Sequence, residues 1–311
     1  MPAATDAPVV WPASHVDLLQ RALPAVLTTH LSDGRLQSTV VWCECSPEGH
    51  LLVNTMREFQ KARNLRARPR ATVLVVEPGQ PSRWIEVRAR VGPDLRDPVA
   101  HLDALSRRYT GVAPYFGRVV PAGLARTEHP VVYRLIPHAV RTGPWYDTLR
   151  PPLPASQATL PARPAAAQGC RYEPDIPASH RDLLQRPLPA ALSTRLPGGA
   201  AQVNPVWCSV DGNDVLVNTT RQRRKARNLS TDPRATILAI DPDDAGRWIE
   251  IRGDVELSDH GADEHLDRLT QQYTGHRHYY GTIYPVQQRY CETRVIARIH
   301  PRHINCDAIH H

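Results

Sequence analysis

The sequence lacks the short motifs by which many enzymes are recognised. It contains no G-x-G-x-x-G fingerprint and no P-loop, which excludes a Rossmann dinucleotide site and a P-loop nucleotide site. Its 6 cysteines include no C-x-x-C pair, so we predict no metal site. We also recognise no Ser-His-Asp set and no paired carboxylates, and the catalytic residues are therefore left unknown.

A targeting signal and long hydrophobic runs are missing as well. Residues 1–12 have neither the basic nor the apolar region of a signal peptide. The longest apolar runs, such as residues 71–76, have the length of a strand and cannot span a bilayer. We therefore expect a cytoplasmic protein without a membrane partner.

Acidic residues are in the minority. The chain has 31 Asp and Glu against 38 Lys and Arg, a formal net charge of +7, which favours an anionic partner. The arginines are dispersed along the chain and form no recognisable nucleic-acid motif. We predict a small-molecule ligand and no nucleic acid partner.

The most informative feature that is present is an internal repeat. Residues 55–65 and 219–229 are near copies, and both contain the string K-A-R-N-L, 164 residues apart. The strings P-R-A-T and R-W-I-E recur with the same spacing. So long a period indicates a duplicated domain and not a stacked array of short repeats.

The repeat sets the predicted domain boundaries. A chain of 311 residues suits two domains of about 150 residues each. The first copy is expected over residues 1–142 and the second over 175–311. Residues 143–174 between them are rich in Pro and Ala, a composition that disfavours helix and sheet and predicts an extended linker.

Each copy has the pattern of a small antiparallel barrel. In the first copy we predict a short helix at 14–21, a hairpin over 25–44 around the turn Asp33-Gly34, and a closing strand near 131–136. Short strands with few helices predict a mainly β fold, with one closed or nearly closed barrel in each copy.

The repeated string carries residues that suit a phosphate. Lys61, Asn64 and Leu65 stand at i, i+3 and i+4, so they share one face of a predicted helix, which Leu65 seats on the barrel. Phosphate oxygens would accept hydrogen bonds here from a helix N-terminus, the Thr55 hydroxyl, the Arg57 guanidinium and the Lys61 ammonium. The alternative is a solvated basic helix. We favour a site because the second copy keeps the same polar residues, Thr219, Arg221, Lys225 and Asn228.

The string T-x-R-x-x-x-K-A-R-N-L-x-x-x-P-R-A-T, after a hairpin with Asn204-Pro-Val-Trp207, resembles a known family. It is similar to the pyridoxamine-phosphate-oxidase-like split β-barrel family, and most of all to its deazaflavin (coenzyme F-420) dependent oxidoreductases. The likeness extends over roughly residues 14–141 and 179–304.

The resemblance implies an architecture and a cofactor. Members of the family are homodimers with cofactor pockets at the subunit interface, so this chain is expected to be a monomeric pseudo-dimer whose two barrels form a pseudo-two-fold pair. The cofactor would be F-420, or alternatively FMN. The residues expected to bind its phosphate and ring are Thr55, Arg57, Lys61, Asn64 and Trp42 in one copy and Thr219, Arg221, Lys225, Asn228, Asn204, Val206 and Trp207 in the other.

The implied activity is hydride transfer between reduced deazaflavin and an electron-poor C=C or C=N bond of a small organic substrate. The alternatives are an FMN-dependent oxidase or reductase of the same fold, and a protein that binds flavin, deazaflavin or haem without turnover. The first copy departs from the family pattern with Ser38-Thr-Val-Val-Trp42, and with Ala89 where the second copy has Gly253. Either change is able to narrow a pocket, so the number of working sites stays open.

Several tyrosines lie on predicted loops of the two copies. Their rings either cover a substrate or fill the end of a barrel while the hydroxyl stays exposed to solvent. These residues are Tyr109, Tyr115, Tyr273, Tyr279 and Tyr280.

Overall fold

The structure is a computed structural model that describes residues 9–143 and 174–307. It divides into two compact units, one on each side of the undescribed segment. Most of the predicted linker, 143–174, lies outside the described residues, so its extended form stays a prediction. The predicted mainly β fold is confirmed, because each unit is a seven-stranded antiparallel sheet with a few helices.

Within residues 9–143, the first unit has three helices and seven strands, with a short 3-10 helix at Ala122–Arg126. In chain order these elements are α1 Asp17–Gln20, β1 Ala25–His30, β2 Leu36–Val41, β3 Cys43–Cys45, β4 Leu51–Met56, α2 Gln60–Ala67, β5 Arg70–Val76, β6 Trp84–Pro93, α3 Pro98–Thr110 and β7 Pro130–Thr142.

The second unit repeats this order, with its 3-10 helix at Val286–Tyr290. Its elements are α4 Ala178–Gln185, β8 Ala190–Arg195, β9 Ala201–Val206, β10 Cys208–Asp211, β11 Asp214–Thr220, α5 Arg224–Thr231, β12 Arg234–Ile240, β13 Trp248–Ser258, α6 Ala262–Thr274 and β14 Arg294–Cys306. The longest of the described helices have 13 residues, and none of these helices combines the length and apolar character needed to cross a membrane.

The seven strands have the same spatial order in both units. In the first unit the order is β2-β1-β5-β6-β7-β4-β3, and in the second it is β9-β8-β12-β13-β14-β11-β10. The duplication inferred from the sequence therefore extends to the topology.

Both sheets curl into half-barrels. The long strands β6 and β7 shift register at Arg88/Ala89, and β13 and β14 do so at Arg252/Gly253. An extra residue at such a bulge bends a sheet and increases its twist. Each curled sheet encloses its own apolar core, as predicted for a split barrel. The two cores include Leu27, Val53, Val73, Ile85 and Leu135 in the first unit and Leu192, Val217, Ile237, Ile251 and Ile299 in the second.

One of the two departures of the first copy lies at the bulge. A Cβ on Gly253 would collide with the carbonyl oxygen of His300 and would stand 2.7 Å from Cγ2 of Ile299. The first unit has Ala89 at this position, and its methyl group is fully buried in the barrel core. The exchange therefore alters core packing beside the bulge.

The predicted hairpin is confirmed, and two other boundaries were wrong. Strands β1 and β2 pair around a turn in which Gly34 has φ of 80°, a conformation that favours glycine. The helix predicted at 14–21 spans only Asp17–Gln20, because residues 13–16 form turns. The closing strand predicted near 131–136 extends over Pro130–Thr142, because β7 pairs with β4 over residues 130–135 and with β6 over residues 133–142.

Candidate functional site

The K-A-R-N-L string forms α2 in the first unit and α5 in the second. The residue before each helix is extended, and no side chain caps either N-terminus. Ala62 and Leu65 are buried in the barrel core and hold α2 against the sheet. Lys61 is left at the edge of this contact, partly exposed.

Neither lysine of the repeat has a carboxylate partner within the described stretches. The Lys61 ammonium lies 5.5 Å from the ring centroid of Phe59, and burial lowers the pKa of Lys61 to about 8. Burial lowers the pKa of Lys225 to about 7, with a smaller contribution from the charge of Arg223. Although both side chains keep some exposed surface, their ammonium groups lie largely out of water and lack a counter-charge, which costs free energy that an anion would offset.

A buried hydroxyl accompanies each lysine. Thr55 stands near the end of β4, and Thr219 has the same place in β11. Both residues are more than nine-tenths buried, and within residues 9–143 and 174–307 the Oγ1 atom of each has no hydrogen-bond partner. A buried polar atom left unpaired in a native fold calls for an explanation, and a ligand oxygen that accepts from the hydroxyl is one.

The two arginines predicted at the site differ from each other. Arg57 is exposed, whereas the guanidinium of Arg221 forms an ion pair with Asp259 at 2.8 Å. The Nε atom of Arg221 is buried without a partner. The role of both arginines toward a phosphate stays a prediction.

The two asparagines have their amide hydrogens engaged within the unit. Asn64 Nδ2 donates to Thr29 Oγ1 at 3.0 Å and to Gln37 Oε1 at 2.9 Å. Asn228 Nδ2 donates to Thr194 and to Gln202, each at 3.0 Å. These bonds tie α2 to the β1–β2 hairpin and α5 to the β8–β9 hairpin. The contacts therefore give both asparagines a positioning role, and direct contact with a phosphate stays a prediction for them.

The two tryptophans predicted to face the cofactor ring are each stacked on a tyrosine. The rings of Trp42 and Tyr109 stack with centroids 5.4 Å apart, and those of Trp207 and Tyr273 with centroids 5.0 Å apart. Tyr109 OH donates to the carbonyl oxygen of Cys43 at 2.9 Å. Burial raises the pKa of both tyrosines. These two tyrosines therefore support the tryptophans from inside the fold, which favours the barrel-filling role over the substrate-covering role.

The other residues predicted to face the cofactor ring lie on the strands that precede these tryptophans. Val206 is buried and Asn204 is partly exposed on β9. In the first unit Thr39 replaces Asn204, and its Oγ1 atom is buried without a partner. Tyr115 contacts Trp42 edge-on at 6.1 Å.

The sequence interpretation missed a second repeated contact. Asn54 Nδ2 donates to Pro98 O at 2.7 Å, and Asn218 Nδ2 donates to Ala262 O at 2.7 Å. These bonds fasten α3 to β4 and α6 to β11. Beside the second of them, burial lowers the pKa of His265 to about 4. The signal available was that both asparagines recur 164 residues apart.

Thiol and metal chemistry have little support in the described residues. Burial raises the pKa of Cys43 to about 11 and that of Cys208 to about 12, so both thiols are unreactive. No three His, Cys, Asp or Glu side chains in residues 9–143 and 174–307 come together as a metal site.

Comparisons with known proteins match one unit at a time. Residues 176–305 match the family described as pyridoxamine 5'-phosphate oxidase. A structure titled F420 reductase is 31% identical, with 42% of this chain and 98% of that chain covered and a TM-score of 0.37. A conserved hypothetical protein from Mycobacterium tuberculosis is 25% identical, with 43% and 85% covered and a TM-score of 0.34.

A heme storage protein from Vibrio cholerae is 18% identical, with 41% of this chain and 91% of that chain covered and a TM-score of 0.31. No curated protein matches the chain. The unit at residues 176–305 accounts for the family match, and the other unit repeats both its sequence strings and its strand order. The chain is thus a tandem member of the pyridoxamine 5'-phosphate oxidase family.

Proposed function

We propose that the chain is an F-420-dependent oxidoreductase that transfers a hydride between reduced deazaflavin and an electron-poor C=C or C=N bond of a small organic substrate. The observation that carries this proposal is a repeated pair of side chains, a lysine that has no carboxylate partner and a buried threonine hydroxyl that has no hydrogen-bond partner among the described residues. Its choice of deazaflavin rests on the sequence resemblance described above.

These groups fit the phosphate of such a cofactor. Lys61 and Thr55 would hold it in the first unit, and Lys225 and Thr219 in the second. A protonated lysine makes a charge-assisted hydrogen bond to phosphate, and a threonine hydroxyl donates a further one. Because the lysine pKa values of about 8 and about 7 lie near neutrality, each lysine would be held fully protonated once an anion is bound.

For the cofactor ring, the protein would supply a rigid surface to lie against and not an acid or a base. Trp42 and Trp207 are fixed by stacked tyrosines whose hydroxyls bond the backbone. In the first unit an apolar cluster that includes Met56 and Tyr115 excludes water near Phe59 and Lys61. A bound deazaflavin supplies the hydride chemistry itself, and the protein contributes position and electrostatics.

We place this activity in the cytoplasm. The described cysteines are all free thiols, as reducing conditions require. The substrate proposed is a small molecule and not a nucleic acid.

The test is the spectrum of protein purified from a host that makes both F-420 and FMN. We expect released deazaflavin from the wild type and none from a Lys61→Ala/Lys225→Ala double variant that is folded by circular dichroism. Oxidation of reduced F-420 should then follow addition of electron-poor alkenes or imines. Recovery of FMN alone would overturn the choice of cofactor, and bound F-420 that no substrate oxidises would indicate a binding protein.

A further inference from the structure

The two units differ systematically beside their lysines. Three positions that are apolar in the first unit are polar in the second, namely Met56 against Thr220, Phe59 against Arg223 and Val120 against Tyr284. In the first unit Met56 and Val120 belong to one buried cluster, and Phe59 packs against it. The Lys61 ammonium there faces an aromatic ring.

In the second unit the matching positions carry a guanidinium and hydroxyl groups. The backbone turn is retained, because Arg223 N donates to Thr220 O at 3.0 Å as Phe59 N donates to Met56 O at 3.0 Å. The Oγ1 atom of Thr220 is fully buried and has no hydrogen-bond partner in the residues that the structure describes. Arg223 therefore replaces a ring by a guanidinium without changing the backbone on which it stands.

Arg223 and Lys225 lie within electrostatic reach of each other. After burial, the charge of Arg223 is the second cause that lowers the pKa of Lys225. Burial raises the pKa of Tyr284, and the Arg223 charge offsets part of that rise. In the part of the chain that the structure describes, neither Arg223 nor Lys225 pairs with a carboxylate. Two neighbouring cations repel each other unless an anion lies between them.

We propose that the second unit has an additional anion-binding position, formed by Arg223 and Thr220 beside Lys225, which the first unit lacks. The inference rests on the proposed function and deepens it. The second unit would bind a ligand that carries a second negative charge at or near its phosphate. The first unit would bind a ligand whose phosphate lies next to an apolar group. The second charge comes either from a terminal phosphate monoester, as in FMN, or from a carboxylate beyond a phosphodiester, as in the oligoglutamate tail of F-420.

The test uses the first unit as the template for the second. The Lys61→Ala background isolates the site of the second unit. In that background, Arg223→Phe introduces the side chain that the first unit has at the matching position, Phe59. Binding of F-420, FMN and uncharged riboflavin is measured by calorimetry at pH 6, where Lys225 is mostly protonated and about half of the FMN phosphate carries its second charge. We expect affinity for the anionic ligand to fall roughly tenfold to a hundredfold, since one charge-assisted contact is lost, while riboflavin is unaffected.

The two anion sources give different supporting results. A loss confined to F-420 assigns Arg223 to the tail, and a loss for FMN assigns it to the second phosphate charge. The reciprocal Phe59→Arg in a Lys225→Ala background should strengthen anion binding in the first unit. Unchanged binding of both anions to folded Arg223→Phe and to Arg223→Gln would overturn the inference. If the two lysine substitutions together leave binding unchanged, the proposed function itself fails.

Discussion

The side-chain amide of Asn64 donates a hydrogen bond to Oε1 of Gln37 across 2.9 Å, and both residues are buried. The second unit makes the same bond between Asn228 and Gln202 at 3.0 Å. A buried amide pair of this kind fixes a helix on a hairpin, because each group left alone would be an unsatisfied polar atom. The helices that carry the lysines are thus held by polar bonds as well as by apolar packing.

Asn228→Ala should lower the free energy of unfolding by about 1–3 kcal/mol, because Gln202 and Thr194 lose their buried donor. Urea unfolding followed by circular dichroism measures this change. Arg227→Ala is the matched control, since its side chain is exposed, and it should alter stability by less than about 0.5 kcal/mol. Unchanged stability combined with weaker cofactor binding would instead place Asn228 on the phosphate.

A glutamate that recurs in both copies, Glu128 and Glu292, has opposite environments in the two units. Glu292 Oε1 accepts from Tyr280 OH at 2.5 Å and pairs with the buried Arg294 at 2.6 Å. Its counterpart Glu128 has Phe116 and Pro130 at the matching positions, and its Oε2 atom is buried without a partner. Burial, and to a lesser degree the charge of Glu58, raises the pKa of Glu128.

We therefore expect Glu292→Gln to destabilise the protein by about 3–5 kcal/mol, since it removes one partner of a buried ion pair. Glu128→Gln should raise stability at pH 7 and leave it unchanged at pH 4. The reason is that a carboxyl whose pKa is raised in the folded state loses stability as the pH rises from its ordinary value of 4.5 through the folded pKa. Differential scanning calorimetry at both pH values distinguishes the two variants, and equal destabilisation by both would contradict the assignment.

Local patterns in the sequence were sufficient to predict the hairpin at Asp33-Gly34 and the helix that carries Lys61. Turn chemistry and i, i+3, i+4 spacing act over a few residues, so a sequence displays them directly. The two acceptors of the Asn64 amide nitrogen stand 35 and 27 residues away, and those contacts depend on how the sheet curls. The helical face was predicted correctly, but the face alone does not reveal that the amide of Asn64 is already engaged.

Substitution of the two lysines should show how many sites work. Lys61→Ala and Lys225→Ala each remove a charge-assisted contact, which corresponds to roughly a ten- to hundredfold loss of affinity. If both units bind cofactor, each substitution should halve the stoichiometry measured just above the wild-type Kd. Titration with F-420 followed by fluorescence measures it. A loss from only one of the substitutions would mean that the other unit carries a vestigial site.

The duplicated chain should be a monomer in solution. Because one chain contains both copies, it supplies within itself the two units that the family resemblance attributes to a homodimer. Sedimentation equilibrium should give a mass near 34.7 kDa. A mass near twice that value, independent of dilution, would contradict a fusion that replaces dimerisation.

Cofactor binding should depend on pH differently in the two units. Burial lowers the pKa of Lys225 to about 7 and that of Lys61 to about 8, against an ordinary value of 10.5. An anion binds the protonated lysine, so affinity should be constant below the lysine pKa and fall above it, by at most tenfold per pH unit. In a Lys61→Ala protein the decline should begin near pH 7, and in a Lys225→Ala protein about one unit higher. F-420 is the suitable ligand because its phosphodiester does not titrate in this range. Lys225→Arg in the Lys61→Ala background should remove the decline, since a guanidinium stays protonated. A decline that persists in that variant would show that another group titrates.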